Sequence, residues 1–411
     1  MKTQWIIALG VLLSLSACSQ IDQTMQVSNT LSPTVEPTQI VIMPTQTVQV
    51  ESPTTVVPTV VATNRQTDSP ITLPDGFQIG VYASGLAGPR MMTLGPDGAV
   101  YVAERGANRI VRLTDNNKDG EADGIEVVAD GLNKPDSLAF YSDGSIYVSE
   151  PTKVIRFSAP NSDGVFQDRE VVISGLPGGG HATRTLLFSP DFSKLYVAVG
   201  SSCNICQESD SRRATIMQYN PDGSNRTIYA SGLRNVVGMA FKPGTEELWV
   251  SNNGRDNLGD TNPPETVYKI QQDANYGWPT CHAGRIIDPD FGLSDSCNGV
   301  QTPQAELAAH MAPLGITFYA GNQFPQDYQG NLYVALHGSW NSTVPAGYKI
   351  MRIPINADGS AGQPVDFATG WLRSDGLVWG RPVGLVELPD GSLLVSDDKG
   401  GTIFRIYYTG S

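Results

Sequence analysis

Gly85-Leu86-Ala87-Gly88-Pro89-Arg90-Met91-Met92-Thr93-Leu94-Gly95-Pro96-Asp97-Gly98-Ala99-Val100-Tyr101-Val102 decides the fold. A Gly-Leu turn leads into an apolar strand. Pro-Asp-Gly then reverses the chain: Pro presets φ and Gly accepts the backbone geometry a tight turn needs. Val-Tyr-Val follows, made of residue types that suit a pleated strand.

The phrase recurs five more times. It runs from Gly131-Leu132 through Asp143-Gly144 to Ile146-Tyr147-Val148, and from Gly175-Leu176 through Pro190-Asp191 to Leu195-Tyr196-Val197. It returns from Gly232-Leu233 through Pro243-Gly244 to Leu248-Trp249-Val250. The fifth copy spans Pro313-Leu314-Gly315 to Leu332-Tyr333-Val334, and the sixth Gly380-Arg381-Pro382 to Leu393-Leu394-Val395. A polar loop and another alternating strand usually follow, as in Arg109-Ile110-Val111-Arg112-Leu113. Helical periodicity is nearly absent. Copies spaced by roughly 45 to 85 residues predict an all-β, six-bladed β-propeller with four-stranded antiparallel blades around a central channel. A sandwich does not explain six copies, and a β-helix has a shorter period. Phe77-Gln78-Ile79-Gly80-Val81-Tyr82 has no blade before it, so it is expected to complete the last blade and close the ring.

Outside the repeats the chain changes character. Lys2 and the apolar Ile6 to Leu15 give residues 1–17 the pattern of an export signal, too short to span a membrane stably. It ends in Leu15-Ser16-Ala17-Cys18, which resembles the lipobox of bacterial lipoproteins and makes Cys18 the candidate lipidated residue. Residues 18–70 are rich in Pro and Thr with few charges, a composition that favours an extended tether over a packed core. The expectation is an exported domain, residues 71–411, held at a membrane surface by its lipid alone. The formal charge of −14 argues against a nucleic-acid partner.

Five cysteines are present. With Cys18 assigned to lipid, an even number remains in an exported chain, which points to disulfides. Proximity pairs Cys203 with Cys206 and Cys281 with Cys297. Cys203-x-x-Cys206 could also be a redox or metal motif, but Gln207 follows it, so it is no haem-attachment site.

In a propeller, the turns between blades and the loops after each second strand share one face. Aligning the copies brings Arg90, Asn133, Lys134, Asp136, His181, Arg184, Arg234, Asn235, His310 and Arg381 to the channel mouth. Several arginines around one channel repel unless an anion sits among them, and the guanidinium fork suits carboxylate or phosphate. A small polyanionic ligand follows. Gly178-Gly179-Gly180-His181 places an imidazole on a stripped-down backbone, a candidate catalytic base. Asn252-Asn253-Gly254-Arg255-Asp256 offers oxygen ligands for a hard cation, or is simply an Asx-rich loop. Asn275-Tyr276-Gly277-Trp278-Pro279 is an aromatic turn, either packing or a wall facing a sugar.

The chain resembles the soluble PQQ-dependent sugar dehydrogenases, in particular their sorbosone dehydrogenase-like branch, from about Leu73 to Tyr408. The pieces that carry the resemblance are Gly178-Gly179-Gly180-His181 with Thr183-Arg184, Gly232-Leu233-Arg234-Asn235, Asn253-Gly254-Arg255-Asp256, Tyr276-Gly277-Trp278-Pro279, Ala335-Leu336-His337-Gly338-Ser339-Trp340-Asn341 and Trp379-Gly380-Arg381-Pro382-Val383. The resemblance implies PQQ, a tricarboxylated quinone, over the channel mouth, with Ca2+ bridging protein and quinone. It implies oxidation of a sugar (an aldose or an aldehyde sugar such as sorbosone) to a lactone or acid, with His181 as the base that takes the proton, hydride passed to PQQ with Ca2+ assisting, and electrons then passed on to a further acceptor. It places Arg184, Arg234, Asn235 and Arg381 at the cofactor, and Gly254, Arg255 and Asp256 at the metal. Val383 stands where glucose-oxidising relatives have a second arginine, and His337 or Lys399 would replace their cofactor-binding lysine. A calcium-dependent propeller lactonase and a non-enzymatic carbohydrate-binding propeller are the rival expectations for the same fold.

Overall fold

A computed structural model describes residues 70–161, 164–166 and 168–410. The export signal, Cys18 and the tether, apart from Pro70, lie outside the described residues. Among these, the only helical element is a single 3-10 turn, Gln326–Tyr328, and no helix is long and apolar enough to cross a membrane.

Six antiparallel sheets follow one another along the chain. Blade 1 holds Pro89–Leu94, Val100–Glu104, Arg109–Thr114 and Gly124–Ala129. Blade 2 begins at Leu138–Phe140, blade 3 at Leu186–Phe188, blade 4 at Val236–Phe241, blade 5 at Pro313–Phe318 and blade 6 at Pro382–Glu387. These first strands line the channel. Blade 3 exceeds the expected four strands: Ala274–Asn275 adds to its edge in parallel.

The ring closes where the sequence places the closure. Phe77–Ser84 pairs antiparallel with Thr402–Tyr408, so the first strand of the domain completes the sheet of the last. Phe77 then enters an aromatic nest, with ring centroids 4.8 Å from Phe324, 5.1 Å from Phe367 and 5.0 Å from Tyr408.

Every residue of each blade's second strand is buried, from Val100–Glu104 to Leu393–Asp397. Neighbouring blades cover both faces of that strand, so it reads as a near-continuous apolar run instead of an alternation. At the axis the first strands approach closely. A Cβ at Gly238 would lie 2.2 Å from the Leu314 carbonyl oxygen, and one at Gly315 would lie 2.5 Å from that of Val383. Met91, Val237, Leu314 and Val383 belong to one buried apolar cluster beneath the mouth. Val383 is fully buried and contributes to the channel wall.

Candidate active site

The glycine run of blade 3 is held from outside by a residue the sequence reading passed over. Arg213 donates to the carbonyls of Gly178, Gly179 and Gly200. A Cβ at Gly200 would lie 2.6 Å from the His181 Cβ, so glycine at that position makes room for the histidine. The His181 amide donates to the Ser201 carbonyl at 2.9 Å, and the Ser201 amide to the Arg234 carbonyl at 2.8 Å. Asn253 N–H donates to the Asn235 carbonyl at 3.0 Å. The loops of blades 3 and 4 are thereby stitched around the mouth.

The side chain of His181 is fixed in one tautomer. Its Nδ1 lies 2.9 Å from Ser201 Oγ and 3.2 Å from the Ser201 carbonyl oxygen. The Ser201 hydroxyl donates its own proton to the Cys203 carbonyl at 2.7 Å. Both groups facing Nδ1 are therefore acceptors, and Nδ1 carries the hydrogen. Nε2 keeps its lone pair and makes no hydrogen bond among the described residues. Burial lowers the pKa of His181 from 6.5 to about 4, with the nearby Arg234 charge adding to the effect. At neutral pH the ring is a neutral base with one nitrogen open.

The arginines are not the bare ring that the sequence suggested. Arg184 is fully buried and turned into its own loop, where it donates to the carbonyls of Pro177, Thr183 and His181 at 2.5, 2.5 and 2.7 Å. Its two terminal nitrogens hold the histidine loop, and its Nε is buried without a partner. Desolvation lowers its pKa to about 10. Arg90 pairs with Asp136 and Asp398, each at 3.0 Å. Arg234 pairs with Asp256 at 2.8 Å. Internal carboxylates therefore answer most of the repulsion that seemed to demand an anion. Arg381, like Arg184, pairs with no carboxylate among the described residues: its Nη1 donates to the carbonyls of Gly338 and His337 at 3.2 and 3.4 Å.

His337 does meet Arg381. Its Nε2 faces Asp398 Oδ1 at 2.9 Å and its Nδ1 lies 3.3 Å from Arg381 Nη1, so Nε2 carries the hydrogen. Lys399 is exposed and its ammonium donates to the Val378 carbonyl. His310 is buried against the Gly259 carbonyl at 2.7 Å.

In the expected metal loop, the Asp256 carboxylate is taken by Arg234 and by Asn341 Nδ2 at 2.9 Å, and Arg255 sends its side chain away to Asp288 and Asp290. As side chains these two do not offer themselves to a cation. The carbonyls of Gly254 and Arg255 accept no hydrogen bond among the described residues. Glu265 lies beneath them, accepting from Gly254 N–H at 2.6 Å, and burial raises its pKa to about 7.

Both disulfides are present, Cys203–Cys206 and Cys281–Cys297. The first encloses Asn204, which joins the blades at the mouth. Its carbonyl accepts from Arg234 Nε at 2.9 Å and from Trp278 Nε1 at 3.3 Å. Its side-chain oxygen accepts from Arg234 Nη2 at 2.9 Å and from Asp256 N–H at 2.7 Å. Trp278 and Tyr276 are buried, so the aromatic turn packs. Ser201 and Asn204 were legible only as residues in the loop after a second strand, a weak signal.

Several polar atoms near these groups are buried without a partner: Asn235 Oδ1, Thr183 Oγ1 and Asn341 Oδ1. Such orphans are rare in native proteins and mark places where a ligand or water completes the bonding.

The TrAA12-like family model matches residues 71–409. A Borreliella burgdorferi protein is 31% identical over 355 residues, covering 83% of this chain and 91% of that protein. The pyrroloquinoline quinone-dependent pyranose dehydrogenase of Coprinopsis cinerea is 27% identical, covering 81% of this chain; the chain spans only 54% of that protein's length. The solved holo form of the PQQ domain of C. cinerea pyranose dehydrogenase superposes with a TM-score of 0.72 at 25% identity, covering 84% of this chain and 98% of that one.

Proposed function

We propose, because the chain belongs to the TrAA12-like family, that it is a PQQ-dependent sugar dehydrogenase. Its substrate is an aldose or aldehyde sugar and its product a lactone or acid. Bound PQQ would supply a quinone that accepts the hydride, which carries both electrons of the oxidation. The donor set fits such a group. Arg381 has no carboxylate partner, the Thr183 hydroxyl is buried without a partner, and the Arg234 guanidinium is anchored on Asp256. A tricarboxylated ligand offers Arg381 the acceptors it lacks.

One observation carries the reading: His181 has Nδ1 committed to Ser201 and Nε2 open. Nε2 takes the proton of the sugar hydroxyl, and Ser201 holds the ring while the charge develops. A base placed in this way contributes about 10²–10⁴ in rate. The carbonyls of Gly254 and Arg255 would hold Ca2+, leaving most of its roughly six to eight oxygen positions to other ligands. The lactonase alternative needs side-chain carboxylates gathered at the channel. Here Asp136, Asp256 and Asp398 are each bound to an arginine.

The test is dye reduction by the purified chain with PQQ and calcium across a panel of aldoses, beside His181→Gln. The variant should bind PQQ as the parent does and lose at least about a hundredfold in turnover. Full turnover in the variant would end the base assignment, and no PQQ binding by the parent would end the whole reading.

A further inference from the structure

We propose that a basic cavity beside the channel mouth is a carboxylate subsite, and that the preferred sugar is one carrying a carboxylate, a hexuronic acid. This deepens the dehydrogenase reading and rests on it.

The cavity has a volume of about 420 Å3 and is lined by Gly88, Arg90, Arg105, Gly106, Asn108, Lys134 and Asp398. It lies between the loops of blades 1, 2 and 6. Asp398 forms part of its wall and also binds His337, the neighbour of Arg381, so the cavity adjoins the proposed cofactor position.

Its charge is unbalanced. Arg90 uses both Asp136 and Asp398, and Arg105 donates its Nη1 to Asp136 at 2.9 Å. Three cations therefore stand against two carboxylates, in a chain of formal charge −14. The surplus is identifiable. Arg105 Nε and Nη2 make no hydrogen bond among the described residues, and the Lys134 ammonium has no partner there. Lys134 is held by its backbone, whose N–H donates to Asn108 Oδ1 at 2.8 Å. One monoanion would balance the site, and a carboxylate suits a guanidinium edge beside an ammonium. A neutral hexose leaves both donors to water.

The carboxylate could belong to the sugar or to the cofactor, and the experiment separates the two. D-glucuronate, its methyl ester and D-glucose are titrated calorimetrically into the full chain without cofactor, and PQQ is titrated separately by absorbance. Glucuronate should bind at least about tenfold tighter than its ester or glucose, the size expected of a charge-assisted pair. Lys134→Gln and Arg105→Gln should each lose about that factor for glucuronate while their PQQ titrations stay as in the parent. Equal binding of glucuronate and its ester overturns the proposal, and the ester comparison needs no variant to fold. PQQ binding lost in both variants also overturns it, since the carboxylate would then be the cofactor's. Binding is read without turnover, so the two readings fail separately. A chain that binds glucuronate yet oxidises no sugar refutes the dehydrogenase; one that oxidises glucose yet ignores glucuronate refutes the subsite.

Discussion

His181 Nδ1 donates to Ser201 Oγ at 2.9 Å, and the same hydroxyl donates to the Cys203 carbonyl at 2.7 Å. This relay decides which imidazole nitrogen is a base. Ser201→Ala removes the main acceptor and leaves the longer contact to the Ser201 carbonyl. A hydrogen bond of this kind is worth about 1 kcal/mol net, so kcat/KM should fall roughly fivefold to tenfold, with a small drop in melting temperature. Steady-state kinetics beside a thermal melt reads both; an unchanged kcat/KM would remove Ser201 from the relay.

Protonation of His181 should be visible directly. Its pKa lies at about 4 against an ordinary 6.5, so the folded chain binds fewer protons than the unfolded one between those values. The neutral ring contributes stability that is present above about pH 6.5 and is lost as pH falls through the window towards 4. In the cofactor-free chain the His181 imidazole signal should titrate near pH 4 by NMR. A midpoint near 6.5 would show that burial and the Arg234 charge do not act as described.

Arg184 supports the loop from within. Arg184→Met leaves three backbone carbonyls without their donor in a buried site. Each unsatisfied group costs about 1–3 kcal/mol, so the variant should lose at least about 3 kcal/mol in denaturant unfolding. A loss below about 1 kcal/mol would mean that water replaces the guanidinium.

Asn204 ties blade 3 to blade 4 at the mouth. Asn204→Ala keeps the carbonyl bonds to Arg234 and Trp278 and the Arg234–Asp256 pair, but removes the side-chain oxygen that Arg234 Nη2 and the Asp256 amide share. We expect PQQ affinity to weaken about tenfold as Arg234 loses its orientation, with the two disulfides still formed. An absorbance titration with a free-thiol assay checks this, and unaltered affinity would confine Asn204 to a structural role.

Closure of the ring is testable at Phe77. Phe77→Ala empties a nest shared by Phe324, Phe367 and Tyr408 and should cost about 3–5 kcal/mol in chemical unfolding. Smaller losses would show that the Phe77–Ser84 pairing with Thr402–Tyr408 closes the ring without that ring contact.

Six copies of one turn-and-strand phrase were enough to determine the propeller and its closing strand, because each copy buries its second strand only against another copy. Residue types in that frame also placed His181, Arg234 and Arg381 at one mouth. The sequence could not say which cations were already spent. Arg90 and Arg381 are both cations of the inter-blade turns, yet Arg90 is spent on Asp136 and Asp398 while Arg381 meets only His337 and the Gly338 carbonyl. Guanidinium direction depends on which carboxylates and carbonyls neighbouring blades supply, and those come from distant parts of the chain. The same holds for the His181 tautomer, set by a serine twenty residues on. Local pattern determined the scaffold and the residue types at its mouth; contacts between blades decided which of those residues are free to act.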